Sequence, residues 1–281
     1  MNLILGEAIE ELKKIEKNSI DLVIIDPPYF IDKMGEDWDS EAIKQSQKKA
    51  GVIGGLPVGM KFDPKQGRQL QKFIGFVSKE IYRVLKPGGF YLCFSQARLV
   101  HRMAVGIEDN NFEIRDLLFW KRDSQPKAFS HNHFVKKMKI SETEKERIIK
   151  SMENRKTPQI RQMVEPIILA QKPKDGTFVQ NWIKWGVGFM DTSQTLDGGF
   201  PNSILDVKRD GKNINHPTVK PVALLEHLIK LYSKETDIVL DCFMGSGSTG
   251  VAAIKSNRDF IGIELNEEYF NIAKQRIEQL Y

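Results

Sequence analysis

The stretch IVLDCFMGSGSTG, residues 238–250, joins an apolar run to a glycine-rich turn. Ile238 to Cys242 predicts a buried strand, and Gly245, Gly247 and Gly250 satisfy the G-x-G-x-x-G spacing that connects a strand to a helix. Such a turn lets a ligand approach the backbone and offers the amino terminus of a helix to an anion. Tight packing of the helix on its strand would explain the glycines about as well, so the turn alone is a weak signal.

An acidic residue downstream strengthens the ligand interpretation. Phe260 to Ile263 predicts the next strand, and Glu264 stands at its end. A carboxylate in that position accepts hydrogen bonds from ribose hydroxyls in nucleotide-binding folds. Together the turn and Glu264 predict a site for a nucleoside cofactor.

Topology then constrains the rest of the chain. A dinucleotide-binding domain starts with this unit and adds several more strands, but only 31 of the 281 residues follow Gly250. The remaining strands must come from the amino-terminal part, where Leu3 to Leu5 and Ile20 to Ile25 are apolar runs. We therefore expect one doubly wound sheet, with the glycine turn and the end of the Ile20 strand at the same carboxyl edge.

The Ile20 to Ile25 strand runs into Asp26-Pro27-Pro28-Tyr29. Two prolines stiffen the turn and remove two backbone donors, which leaves carbonyl groups and the Asp26 carboxylate as acceptors beside an aromatic ring. This combination suits a planar amine. A proline-rich turn with no further role is the alternative, because short motifs have false positives.

Other segments complete the predicted α/β pattern. Phe30 to Pro64 is polar, interrupted by glycines and follows the candidate site directly, so we expect a mobile loop that serves as a lid. The apolar spacing predicts further strands over Phe90 to Phe94, Ile114 to Trp120 and Glu165 to Ala170, and helices over Gln66 to Leu85, Leu99 to Ile107, Ser141 to Met152, Thr218 to Leu231 and Glu267 to Leu280. Pro87-Gly88-Gly89 is expected to end the first of these helices.

Positive charge is concentrated in one segment. The chain carries a net charge of +5, and residues 121–161 hold 12 Lys and Arg against 5 Asp and Glu, so the remainder is slightly acidic. This distribution suits a polyanionic partner. A solvated surface helix is the alternative, since that is what charge runs usually are. The 41% apolar content excludes disordered and collagen-like classes.

Cysteine usage and the amino terminus indicate the compartment. Cys93 and Cys242 lie in apolar strands and belong to no metal-ligand or disulfide spacing, which favours a reducing cytoplasm and predicts no metal site. Glu7, Glu10 and Glu11 occupy positions where a signal peptide would need an apolar core, and no apolar stretch reaches membrane-spanning length. We expect a cytoplasmic protein with no membrane partner.

Five separated motifs, in one order, resemble those of the amino DNA methyltransferases of the permuted (beta) order. They are Asp26-Pro27-Pro28-Tyr29, Glu165 to Leu169, His216 to Pro221, Asp241 to Thr249 and Phe260 to Glu264. As a set they cover most of the chain and are highly specific. The resemblance implies an α/β fold with a doubly wound, mixed seven-stranded methyltransferase sheet, Rossmann-like and circularly permuted, with an inserted target-recognition region.

The resemblance also implies domains and site residues. Residues 1–120 and 216–281 would form the catalytic, cofactor-binding domain and residues 121–215 the target-recognition region, with the strand near 165–171 belonging to the core. The implied catalytic residues are Asp26, Pro27, Pro28 and Tyr29. The implied contacts to S-adenosylmethionine are Asp26, Glu7, His216, Thr218, Lys220, Asp241, Phe243, Gly245, Ser246, Gly247, Ser248, Thr249 and Glu264. The implied DNA contacts are Lys121, Arg122, Lys127, Lys136, Lys137 and Lys139.

The implied activity is site-specific methyl transfer from S-adenosylmethionine to the N6 amino group of adenine in double-stranded DNA. The target base would be flipped out of the duplex, its amino hydrogens accepted by Asp26 and its ring stacked on Tyr29. An Asp at the head of the motif favours adenine, whereas cytosine-N4 enzymes more often have Ser there, and both amines stay open. The implied partners are double-stranded DNA at the prokaryotic nucleoid and, where one exists, a cognate restriction endonuclease, with the enzyme a monomer or homodimer.

Other classes compete with this interpretation. Carbon-5 cytosine methylation needs a thiolate nucleophile, and no Pro-Cys pair exists in the chain. An NAD(P)-binding oxidoreductase built on the glycine turn is disfavoured by the late position of that turn and offers no role for Asp26 to Tyr29. A methyltransferase acting on protein or RNA usually has Asn at the head of the motif. A DNA-binding protein that keeps the cofactor fold only as scaffold is a further alternative.

Overall fold

The computed structural model describes residues 1–29, 64–122, 128–158, 160–208 and 220–280. The predicted lid over Phe30 to Pro64 lies outside these residues, apart from Pro64 itself. The strands are β1 (Asn2–Leu5), β2 (Ile20–Ile25), β3 (Leu85–Phe94), β4 (Glu113–Lys121), β5 (Val164–Gln171), β6 (Ile204–Leu205), β7 (Ile238–Asp241) and β8 (Asp259–Glu264). The helices are α1 (Ala8–Lys14), α2 (Pro64–Val84), α3 (Val100–Glu108), α4 (Asn132–Lys136), α5 (Glu142–Ser151), α6 (Phe178–Trp185), α7 (Val222–Tyr232), α8 (Ser248–Lys255) and α9 (Glu267–Glu278). Within the described ranges no helix is long and apolar enough to cross a membrane.

The strands form one mixed sheet in the order β1-β8-β7-β2-β3-β5-β4-β6. Neighbouring strands are parallel from β1 to β3, and β5 runs antiparallel to β3. The two strands from the end of the chain, β7 and β8, lie between β1 and β2, which is the permuted arrangement that the late glycine turn requires. The predicted fold class is confirmed, and the two-residue strand β6 adds an eighth member to the expected sheet.

The sheet is covered by helices on both faces, and β2 shows why. All six of its residues are buried. Val23 and Ile25 pack into a cluster that includes apolar residues of α1, α2 and α3, whereas Leu22 and Ile24 pack into a second cluster with α7, α8 and α9. A strand buried on both faces needs apolar residues at every position, which is the pattern that the sequence shows.

Two local predictions differ from the structure. Pro87-Gly88-Gly89 does not end α2, because that helix ends at Val84 and the three residues lie inside β3. An irregularity in the β2–β3 register between Ile20 and Leu22 accommodates the extra residues. Helix α6 was not predicted, although its capping box between Thr177 and Gln180 is a recognisable sequence signal.

The chain divides into two compact units. The first comprises Met1–Lys121 and Glu165–Tyr281, and the second comprises Arg122–Val164. Residues after β5 are tied into the first unit by the buried Asn181, whose amide donates to the carbonyls of Pro87 (3.0 Å) and Val187 (2.8 Å). The compact second unit is therefore shorter than the inserted region expected over residues 121–215.

A buried lysine connects the end of β5 to the end of α2. The Lys172 ammonium donates to Asn18 Oδ1 (2.8 Å) and to the carbonyl oxygens of Tyr82 and Leu85 (2.7 Å each), at the carboxyl end of α2. A cation is favourable at that end of a helix. No carboxylate in the described part of the chain pairs with this ammonium, and burial, with the charge of Lys17, lowers the pKa of Lys172 to about 8.

Replacing this lysine should destabilise the protein. We expect Lys172→Met to reduce the free energy of unfolding by about 2–4 kcal/mol, because it leaves three buried acceptors without their donor. Lys174→Met, at an exposed position in the same loop, should change it by less than about 0.5 kcal/mol. Urea denaturation of both variants measures the difference, and equal stabilities would contradict the anchoring role.

The stability difference should also depend on pH. An unfolded lysine has a pKa near 10.5 whereas folded Lys172 has one of about 8, so between these values the unfolded state binds more protons. The Lys172 contribution to stability therefore rises from pH 8 towards pH 10. The difference in free energy of unfolding between wild type and Lys172→Met, measured from denaturation curves, should increase over that range. A difference that decreases would contradict the assignment.

Candidate active site

The carboxyl edge of the sheet presents the Asp26 carboxylate, immediately after β2. Its Oδ1 accepts a hydrogen bond from the Tyr29 hydroxyl, and its Oδ2 pairs with the Lys220 ammonium. Burial, reinforced by the neighbouring Asp26 charge, raises the pKa of Tyr29 well above 10, so its hydroxyl remains a donor. Pro27 is buried and Pro28 half-buried in the turn between these two residues. The motif is thus a rigid turn that holds one carboxylate.

A second carboxylate completes this cluster. Glu165, in β5, lies 2.9 Å from the Lys220 ammonium, which also lies 4.8 Å from the centre of the Phe94 ring. Burial by itself lowers the pKa of Lys220, but Asp26 and Glu165 outweigh it and raise that pKa above 10.5. Lys220 was expected to hold the methionine carboxylate, and here its ammonium is engaged by two protein carboxylates. Sequence reasoning placed Glu165 in a motif without assigning it to the site.

The three glycines of the turn have different reasons for being glycine. A Cβ at Gly247 would lie 2.8 Å from the Ala273 Cβ, and one at Gly250 would lie 2.4 Å from the Ile277 side chain, so both positions serve close packing of α9. A Cβ at Gly245, where φ is +52°, would meet no atom of the described residues within 4 Å. The packing alternative therefore explains two glycines, and only Gly245 exposes backbone to open space where a ligand can approach.

Asp241 is buried beneath this turn. It accepts hydrogen bonds from the Thr249 hydroxyl (2.6 Å) and the Phe243 backbone (3.0 Å). Burial raises its pKa to about 7, and the negative charges of Asp26 and Glu264 contribute to the shift. Because β7 pairs in parallel with both β2 and β8, the ends of these three strands share one edge of the sheet.

Glu264 faces the open side of the turn. Its two carboxylate oxygens accept hydrogen bonds from the backbone of Gly245 and of Asn266, both at 2.8 Å. Burial raises the pKa of Glu264. The Leu265 backbone also hydrogen-bonds to this carboxylate. Because an ionised carboxylate can accept about four hydrogen bonds, it keeps capacity for a ribose hydroxyl. The open backbone at Gly245 and this spare capacity fit a nucleoside cofactor.

The remaining predicted cofactor residues have structural partners or lie elsewhere. Ser246 and Ser248 contact Arg276 of α9, whose Nη1 lies 3.1 Å and 3.4 Å from their hydroxyl oxygens. Glu7 caps α1 by accepting from the Glu10 backbone (2.9 Å). His216 and Thr218 lie outside the described residues. The half-buried Arg276 was not predicted, because nothing in the sequence around it distinguishes it from the other arginines.

The described residues among the predicted DNA contacts lie in the second unit, except Lys121, which ends the first segment of the first unit. Lys136, Lys137 and Lys139 are exposed at the end of α4. Lys121 pairs with Asp206 at 2.7 Å, the Arg122 backbone donates to Met163, and Lys127 lies outside the described residues.

Aromatic rings accompany these lysines. The imidazole of His131 stacks between Phe129 and Phe134, with ring centres 5.0 Å apart on each side, and half of each phenylalanine is exposed. Exposed rings next to exposed cations are typical of nucleic-acid surfaces. Sequence reasoning missed this stack, although the alternation of Phe and His over residues 129–134 was a usable signal.

Comparisons with known proteins identify the family of the chain. A family model described as DNA methylase matches residues 20–275. The Type II methyltransferase M.HindIII of Haemophilus influenzae is 33% identical, over 97% of this chain and 93% of that protein. The DNA adenine methyltransferase YhdJ of Escherichia coli is 29% identical, over 98% of this chain and 82% of that protein.

A solved structure extends the agreement to the fold. The crystal structure of the M1.HpyAVI–SAM complex superposes with a TM-score of 0.60 over 98% of both chains, at 22% identity. The family model spans most of this chain, and the M.HindIII alignment covers nearly all of it. The chain therefore belongs to the N6/N4 DNA methylase family and is a DNA methyltransferase.

Proposed function

We propose that this chain transfers a methyl group from S-adenosylmethionine to the N6 amino group of adenine at a specific site in double-stranded DNA. The observation that carries the proposal is the position of Asp26. Its carboxylate is the partly exposed end of a buried charge cluster, on the same sheet edge as the open backbone of Gly245. An amine acceptor and a nucleoside cradle are thus combined in one site.

The residues around the glycine turn would hold the cofactor. Glu264 would accept a ribose hydroxyl, and the open backbone at Gly245 would allow the nucleoside to lie against the turn, next to the half-buried ring of Phe243. S-adenosylmethionine supplies an electrophilic methyl group: the bond from carbon to sulfur breaks as the bond to nitrogen forms, and its electron pair stays on sulfur. The protein has only to position the two reactants and stabilise charge.

Asp26 would compensate for the weak nucleophilicity of the amine. The lone pair of an exocyclic amine is delocalised into its ring, and the nitrogen becomes positively charged as it forms the new bond. Asp26 and the carbonyl after it would accept the two amino hydrogens and draw the nitrogen towards tetrahedral geometry. The Asp26 carboxylate would stabilise the developing charge, and the surplus proton would leave the nitrogen through it to solvent.

The amine would reach Asp26 by base flipping. An amino group inside a duplex is stacked between neighbouring base pairs, so the enzyme must rotate the nucleotide out into a pocket. Tyr29 is half-buried and donates its hydroxyl to Asp26, which leaves its ring as one wall of that pocket. The proline turn holds Asp26 and Tyr29 at a constant separation.

The second unit would recognise DNA. Its exposed Lys136, Lys137 and Lys139 provide charge for phosphates, and the stack of Phe129, His131 and Phe134 provides rings for bases. Because M.HindIII is named a Type II methyltransferase, we also infer that this enzyme acts beside a cognate restriction endonuclease. Its DNA substrate would place it at the nucleoid.

The first prediction concerns the base. Expression in a host that lacks DNA methylation should produce N6-methyladenine at one short sequence, as supported by Asp26 at the head of the motif and by the name of the relative YhdJ. Single-molecule sequencing of the host DNA identifies the base and the site together. N4-methylcytosine would select the alternative amine, and unmodified DNA would contradict the proposed activity.

A second prediction concerns Asp26. The Asp26→Ala enzyme should lose at least about 100-fold in kcat, because it removes the acceptor that stabilises charge in the transition state. Binding of S-adenosylmethionine, measured by calorimetry, should change little. Asp116→Ala, at an exposed position in β4, serves as the matched control and should retain full activity. A fully active Asp26→Ala enzyme would refute the mechanism.

A third prediction concerns the lysines of the second unit. Changing Lys136, Lys137 and Lys139 to Glu should weaken DNA binding and lower the slope of log affinity against log salt by about 0.9 for each lost phosphate contact. In the control, Lys13, Lys14 and Lys17 of the first unit are changed to Glu, which alters the net charge by the same amount. If both triple variants bind equally well in fluorescence titrations, the segment has no specific role in DNA binding.

A further inference from the structure

We propose that Glu165 is a positioning residue for methyl transfer, which holds the Lys220 ammonium so that it orients Asp26 without neutralising it. This inference rests on the proposed function and adds to it a residue that never touches the substrate. Glu165, Lys220 and Asp26 come from β5, the start of α7 and the end of β2, so only the folded sheet brings them together.

Within the cluster, Asp26 is more exposed than Glu165 and Lys220. The side chains of Glu165 and Lys220 are 8% and 11% exposed, whereas that of Asp26 is 27% exposed. The inner pair is therefore inaccessible to a bound base, and Asp26 is the member that faces outward. An ion cluster that opens at one end presents its charge at that end.

The charge balance of the cluster suits the reaction. Two carboxylates share one ammonium, which leaves a net charge of −1 while Tyr29 contributes only a neutral hydroxyl. A Lys220–Asp26 pair alone would be neutral and would compete with the substrate amine for the carboxylate. Because Glu165 shares the ammonium, Asp26 keeps negative charge for a nitrogen that becomes positive during transfer.

Among the described residues, the other titratable groups that interact with Asp26 do not supply this control. Asp241 and Cys93 interact electrostatically with Asp26 but are buried and carry no positive charge. The Phe94 ring lies against the ammonium and restricts it to the space between the two carboxylates. Burying such a cluster is costly compared with apolar packing, so a contribution to stability is a weak reason for its presence.

The test compares single-turnover methylation by Glu165→Gln, Lys220→Met and the double variant on duplex DNA that contains the mapped site. We expect each single variant to lose about 10- to 100-fold in rate, a usual effect of removing a supporting contact, with little change in KM for DNA. Lys220→Met leaves two carboxylates facing each other without a cation. Removing the Glu165 charge in that background should therefore cost nothing further or restore part of the rate.

Two controls accompany these measurements. Glu113→Gln breaks an exposed ion pair with Arg115 in β4 and should leave the rate unchanged. Thermal unfolding reports whether each variant folds. If Glu165→Gln does not fold, Glu165→Asp replaces it, because a shorter carboxylate keeps the charge but withdraws it from Lys220, and the same loss of rate is expected.

Several results would overturn the inference. A Glu165→Gln or Glu165→Asp enzyme within about twofold of wild type would do so, as would a double variant whose loss is the product of the two single losses. Lys220→Met that weakens calorimetric binding of S-adenosylmethionine at unchanged rate would assign Lys220 to the cofactor instead. Wild type that methylates no DNA would refute the proposed function itself, whereas the other outcomes leave that function intact.

Discussion

The parallel pairing of β2 with β7 is the constraint on which the site depends. Leu22 and Val23 are in register with Val239 and Leu240, residues from opposite ends of the chain. At the amino end of this pair, the buried Asp21 carboxylate accepts from the Ile238 backbone (2.8 Å) and pairs with Lys86 of β3 (2.5 Å), which fixes the register. Since the strands run in the same direction, this register brings their carboxyl ends, and the carboxylates that follow, to one edge.

Charged groups of opposite sign are concentrated in two parts of the protein, the carboxyl edge of the sheet and the second unit. The carboxyl edge of the sheet carries the carboxylates of Asp26, Asp241 and Glu264, with the Lys220 ammonium between Asp26 and Glu165, and burial raises the pKa of Asp241 to about 7. This concentration of carboxylates suits an amine that becomes cationic. The second unit exposes lysines and stacked rings, which suit a polyanion.

The glycines of the turn are required for two different physical reasons. Gly247 and Gly250 are required by the approach of α9, which any tightly packed strand–turn–helix unit would demand, and only Gly245 leaves backbone open to a ligand. The string of glycines therefore could not distinguish a nicotinamide enzyme from a methyltransferase. Asp26 to Tyr29, at the neighbouring strand end, made that distinction, because a hydride-transfer enzyme has no use for an amine acceptor there.

Local sequence determined much of the fold. The buried strand before Asp26, helices α2 and α3, and the glycine turn were all predicted within a few residues. These predictions succeeded because apolar runs, prolines and glycines act on their immediate neighbours. That the two strands flanking the turn join β1 and β2 in one sheet followed from the late position of that turn. Only the tertiary structure decided which charges meet. The motif from His216 to Pro221 singled out Lys220 only as a cofactor contact. Nothing in sequence spacing joins Lys220 or Glu165 to Asp26, or selects Lys172 from 42 Lys and Arg residues. Ion pairs of this kind depend on the positions of strands distant in the chain, because their energy depends on distance and burial in space.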